Sequence, residues 1–138
     1  MEITNLMLND YVMIHCFDGS DIVIKVTEIE GEGGTVYGVS KKGSHWSNIE
    51  DVRPIPFTPE ILGKNGFVLK SDGWLWCKEE GINEQNYIFI QFRKGCDEIR
   101  LVELNFVNKV LAKYEQIHYV HELQHALKLF KIKKEIVL

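Results

Sequence analysis

Two prolines one residue apart, in Arg53-Pro54-Ile55-Pro56-Phe57, constrain this 138-residue chain more than any other feature. Each proline fixes φ, lacks an N–H and pushes the residue before it into extended backbone, so regular strand pairing stops there. The segment reads as a boundary between a unit over 1–56 and a second over 57–138. The length suits two very small units, or one compact domain that shares a core.

Ahead of the boundary lie short β-type runs divided by turn chemistry. Residues 10–16 and 22–29 are rich in β-branched and aromatic side chains, and Asp18-Gly19-Ser20 between them predicts a hairpin. Gly31, Gly33 and Gly34 mark a second turn, Thr35–Ser40 a third strand and Trp46–Val52 a fourth. Several short strands in about 55 residues predict a small SH3-like β-barrel or curled sheet. Gly31-Glu32-Gly33-Gly34 is no phosphate loop, because neither a helix start nor a Lys-Ser/Thr follows it.

Past the boundary, Thr58-Pro59-Glu60 has the chemistry of a helix start, and Gly63 and Gly66 end that helix quickly. Strands are predicted over Phe67–Lys70 and Trp74–Lys78 around the turn Ser71-Asp72-Gly73, then over Tyr87–Arg93, a turn at Lys94-Gly95, and Glu98–Leu104. Residues 105–116 fit either period and are read as a last strand or an irregular segment. From Ile117 to Phe130 the spacing of Tyr119, Val120, Leu123, Ala126, Leu127 and Phe130 gives one apolar helical stripe. The tail Ile132–Leu138 reads as a short final strand. The fold class is α+β: the small barrel-like unit, then an antiparallel sheet packed by a C-terminal helix.

Composition narrows the classes of function. Hydrophobic residues make up 45% and charged residues 26%, so a globular core is expected and disorder is not. The cysteines, Cys16, Cys77 and Cys96, are scattered and odd in number, with no C-x-x-C pair, which suits a reducing compartment. The first residues lack the basic and apolar regions of a secretory signal, and no apolar run reaches bilayer length, so cytoplasmic residence is expected. Residues 1–70 carry 6 Lys/Arg against 10 Asp/Glu, and residues 71–138 carry 10 against 10. That acidic front half argues against nucleic acid as a partner, since such binding neutralises phosphates. Lys128, Lys131, Lys133 and Lys134 cluster at the end of the predicted helix, where the dipole alone favours cations.

One string has the form of a catalytic motif. His121-Glu122-Leu123-Gln124-His125 matches H-E-x-x-H, in which two imidazoles a helical turn apart grip zinc and the Glu acts on the bound water. Three considerations weigh against it. Lys128 and Lys131 stand where a metzincin has its Gly and third His, and Glu135 is the sole carboxylate side chain after His125. An upstream third ligand, such as His118, His45 or Cys96, is signalled by nothing in the sequence. At about 100° per residue His121 and His125 fall opposite the apolar stripe, beside Lys128, and are expected to face water. Finally, a motif this near the end of a short chain leaves little to build a substrate groove. The string is read as a polar helix face. The alternative is a zinc-dependent hydrolase with His121 and His125 as ligands and Glu122 as general base.

Other constellations suggest contact surface. Trp74 and Trp76 share one face of a predicted strand, with Tyr87 on a neighbouring predicted strand, and these three are the candidate binding residues. Without interleaved Arg or Lys, a core or subunit-interface role suits them better than base stacking. Lys41-Lys42-Gly43-Ser44-His45-Trp46 reads as a basic loop ending in an aromatic residue, and His15 as a sheet residue. Neither a Gly-x-Ser-x-Gly elbow nor a dinucleotide fingerprint occurs.

Three segments carry a resemblance: Asp51-Val52-Arg53-Pro54-Ile55-Pro56-Phe57-Thr58-Pro59-Glu60-Ile61-Leu62, Asn65-Gly66-Phe67, and Tyr119-Val120-His121-Glu122-Leu123-Gln124-His125-Ala126-Leu127. Together they resemble a family of small proteins of gut anaerobic bacteria, often found near phage-like or mobile elements and without an assigned activity. The family's form of the last segment is Tyr-Val-His-x-Leu-Gln, in which positions 122 and 125 are not characteristically Glu and His. The resemblance thus implies a structural motif there rather than a metal site. The expectation is a non-enzymatic binding or adaptor protein, with no catalytic residue and no cofactor. Its partner is another protein rather than a membrane or nucleic acid, and a homo-oligomer is left open.

Overall fold

The turn at residues 16–20 sets up the first sheet. Gly19 N–H donates to Cys16 O at 3.0 Å, Cys16 N–H to Ser20 O at 2.8 Å, and Gly19 takes φ +85°. This reversal brings β1 (Tyr11–His15) back against β2 (Asp21–Glu30) in register Tyr11↔Lys25 to His15↔Asp21. The computed structural model describes residues 6–69, 74–78, 86–91, 98–103, 109–115, 117–129, 132 and 134–138. Contacts divide the chain into two compact units, Met1–Pro56 and Phe57–Leu138.

In the first unit β3 (Thr35–Ser40) pairs with β2 across a bulge between Val26 and Glu28. β4 (Gly43–Asn48) pairs with β3 through a two-residue turn at Lys41-Lys42. A 3-10 turn, Ile49–Asp51, then feeds the two-residue β5 (Val52–Arg53), which pairs with β1. The sheet order is β4-β3-β2-β1-β5, antiparallel and curled. Its inner face buries Val12, Ile14, Ile24, Val26, Val36 and Val52, with Leu6 closing the set. Each fully buried aliphatic side chain contributes about 1.5–3 kcal/mol. The predicted fourth strand over Trp46–Val52 is corrected: the strand starts at Gly43 and ends at Asn48. The two lysines of the supposed basic loop are its turn, and Ser44, His45 and Trp46 are strand.

The second unit opens with α1 (Pro59–Lys64), started as its sequence predicts. Thr58 Oγ1 accepts from Ile61 N–H at 3.3 Å and Pro59 takes the first turn. The helix runs through Gly63 and stops at Gly66, whose φ of +86° suits a Schellman end. There Gly66 N–H donates to Gly63 O and Phe67 N–H to Leu62 O.

Next come β6 (Val68–Leu69), β7 (Trp74–Lys78), β8 (Asn86–Gln91), β9 (Glu98–Glu103) and β10 (Lys109–Glu115). They form an antiparallel meander in the order β10-β9-β8-β7-β6. The ambiguous segment 105–116 thus contains a strand, bulged between Val110 and Ala112. The predicted turns Ser71-Asp72-Gly73 and Lys94-Gly95 lie outside the described residues.

α2 (Val120–Leu129) buries Val120, Leu123, Ala126 and Leu127, and is shorter than the predicted Ile117–Phe130. Ile132 N–H donates to Leu127 O at 2.9 Å. The tail differs from expectation, because its described residues form no strand. Instead the buried Asn65 amide takes Val137 on both sides: Val137 N–H donates to Asn65 Oδ1 at 2.8 Å, and Asn65 Nδ2 donates to Val137 O at 2.9 Å. The architecture is α+β, and among the described residues no helix is long and apolar enough to cross a membrane.

Candidate functional site

The curl of the first sheet leaves a groove of about 590 Å³ within the first unit. One wall is the end of β1 and the turn after it, residues 14–17. The other is the length of β4, residues 44–48, and Asp51 contributes to the lining as well. The volume falls in the range of ordinary ligand clefts.

Each wall carries an aromatic ring in solvent. Phe17 is fully exposed, and Trp46 is 61% exposed. Phe17 owes its position to a rigid turn. Besides the two backbone bonds, Asp18 Oδ1 accepts from Ser20 N–H at 2.9 Å and from the Ser20 hydroxyl at 2.5 Å. Those bonds, the hydroxyl's first, hold the Asp18 carboxyl below its ordinary pKa. Trp46 stands opposite Tyr37 in the β3–β4 register, so it too sits on a fixed element.

Two of the lining residues are histidines, each with a polar partner on a neighbouring strand or turn. His15 Nδ1 and Asp21 Oδ1 lie 2.8 Å apart as an exposed cross-strand pair. Ser40 Oγ lies 2.8 Å from His45 Nε2 and accepts the Lys42 N–H at 3.0 Å, which closes the β3–β4 hairpin. Sequence reasoning missed Phe17, Cys16 and Asn48 as groove residues. The one available signal was an aromatic residue at a turn position that does not require it.

The H-E-x-x-H string sits at the start of α2, and one expectation about it is corrected. His121 does not face water: it is 6% exposed, with its Nδ1 atom fully buried. It lies in the first helical turn, where the incoming chain covers it, and the Tyr119 ring stacks on it at 5.9 Å and 12°. His125 is half-buried, its ring edge-on to His121 at 5.6 Å. Burial raises the Glu122 pKa, opposed by hydrogen bonds from the His118 and Tyr119 backbone and by the nearby histidines. Among the described residues no group of three or more His, Cys, Asp or Glu converges as a metal site would need.

Trp74, Trp76 and Tyr87 lie on β7 and β8, in register with Gln91, Phe89 and Lys78 respectively. Their side chains are outside the described ones. Comparisons with protein-family models, with curated proteins and with solved structures found no match.

Proposed function

We propose that this protein is a non-enzymatic binding module, an adaptor whose first unit is an SH3-like barrel that seats a segment of another protein in the groove beside β4. The observation that carries the reading is the pair of exposed rings, Phe17 and Trp46, on rigid elements at opposite walls of one groove. Aromatic anchors on backbone that is already ordered cost no loop ordering on binding, and such residues dominate binding energy. The barrel assignment is supported by the order β4-β3-β2-β1-β5 and by the 3-10 turn that feeds the closing strand. A cytoplasmic setting near phage-like or mobile elements is supported by the cysteine usage and by the segment resemblance.

The test is selection of binders from a library of random peptides displayed against the full chain. Peptides that bind the protein should lose at least about ten-fold in affinity against Phe17→Ala or Trp46→Ala, the scale of one anchor residue. Both sites are exposed, so the melting temperature should hold. Binders indifferent to both substitutions would overturn the groove reading. Stoichiometric zinc in protein purified without a tag, lost in His125→Ala, would overturn the non-enzymatic one.

A further inference from the structure

The β3–β4 register decides which backbone groups of β4 face the groove. Ile49 N–H donates to Gly34 O at 2.7 Å, so that pair is hydrogen-bonded. Hydrogen-bonded and non-bonded pairs alternate along an antiparallel ladder. Stepping back by two, Ser47↔Val36, His45↔Gly38 and Gly43↔Ser40 are the bonded pairs. Ser44, Trp46 and Asn48 therefore turn their N–H and C=O groups away from β3, off the outer edge of the sheet. The Ser47 hydroxyl donates to Asn48 O at 3.2 Å. The groove is lined by five consecutive β4 residues, 44 to 48, as a cleft running along a strand's edge must be.

Among the described residues this edge carries none of the usual guards. Proteins guard open edges with lysine, proline, bulges or very short strands. β4 is six residues long, has no Lys, Arg, Asp, Glu or Pro, and keeps unbroken register with β3. The opposite edge of the same sheet follows the rule: β5 has two residues, carries Arg53 and runs into Pro54.

Building on the proposed binding role of the groove, we infer that its occupant is a single extended segment of a partner protein, added to the sheet as a strand along β4. The segment receives backbone hydrogen bonds from Ser44 and Trp46 and returns them, as in other cases of strand addition. Strands in a sheet lie about 4.8 Å apart, so a segment laid along β4 enters the groove that residues 14–17 also line. The side facing Ile14 and Cys16 accepts an apolar residue, so the segment has apolar side chains at alternate positions. It also has free N–H groups opposite Ser44 and Trp46, unlike a polyproline ligand.

The experiment uses the full chain and a peptide taken from the random library. Amide hydrogen exchange is read by NMR with and without peptide. Ser44 and Trp46 amides should exchange fast in the free protein and slow by at least about ten-fold on binding, while His45 and Ser47 are protected in both states. N-methylation of alternate peptide residues should cost about ten-fold in affinity, the worth of one backbone hydrogen bond. Ser44→Pro deletes an outward N–H and no β3 bond, so it should weaken binding equally.

If the peptide binds, needs Phe17, and leaves the Ser44 and Trp46 amides unprotected, strand addition is overturned and the binding role stands. Protection of those amides without peptide, rising with concentration alongside a dimer mass, assigns the edge to a second copy and also overturns it. Peptides indifferent to Phe17 and Trp46 remove both readings together.

Discussion

At the scale of single residues, position 38 is set by contact rather than by torsion. A Cβ built on Gly38 would lie 2.7 Å from the Lys25 carbonyl oxygen and 2.8 Å from Ile24 Cδ1. The first of these is backbone and cannot swing aside, so β2 and β3 must move apart at the edge of the bulge. Gly38→Ala should therefore cost about 1–3 kcal/mol, the range for overpacking a close-packed site. Urea unfolding should show a lower midpoint with an unchanged slope. The two histidines of the H-E-x-x-H string make a second contrast. His121 is buried against Tyr119 and His125 is half-buried, so His121→Ala should destabilise more than His125→Ala. Thermal melts in the presence of chelator measure the difference. Equal losses that appear only without chelator would mean that the pair holds a metal. Periodicity alone put both rings on the wet face, because it counts angles along a helix. It cannot see the chain that enters the first turn.

At the scale of elements, local chemistry was legible and partner choice was not. Thr35–Ser40 and Trp74–Lys78 stand out by β-branched and aromatic content between turn residues, and Thr58-Pro59 by capping chemistry; all three lie where the sequence places them. The sequence places β4 three residues late because Gly43-Ser44-His45 has poor strand propensity. It becomes a strand through its six paired positions on β3. The groove was illegible for the same reason, since its walls are separated by the whole of β2 and β3. The tail shows the limit most clearly. Ile132–Leu138 has strand composition, yet Val137 pairs with a side chain, Asn65, which also donates to Ile61 O at 2.8 Å and so ties the tail to the end of α1. Asn65→Ala would leave the Val137 N–H and C=O without this partner, at a cost of about 1–3 kcal/mol. It should also speed removal of the last residues by carboxypeptidase, followed by mass spectrometry. Unchanged trimming would show that Ile136, buried in the same tail, anchors it without the amide.

At the scale of the whole molecule, the Pro54-Ile55-Pro56 segment coincides with the end of the first contact unit at Pro56. All five strands of the first sheet, and the side chains of its core, lie before that point. Among the described residues every ladder pair of that sheet lies at or before Arg53. A fragment of residues 1–56 should therefore fold by itself. Its margin will be thin, because a chain of this size buries only about 60% of its unfolded surface and its core rarely supplies more than about 3–5 kcal/mol. The expected result is a dispersed amide spectrum in which the His45 and Ser47 amides exchange slowly. Because Gly38→Ala costs a sizeable part of so thin a margin, the same substitution should unfold the fragment while only shifting the midpoint of the full chain. A random-coil spectrum for the unsubstituted fragment would show that the boundary divides contacts without dividing stability.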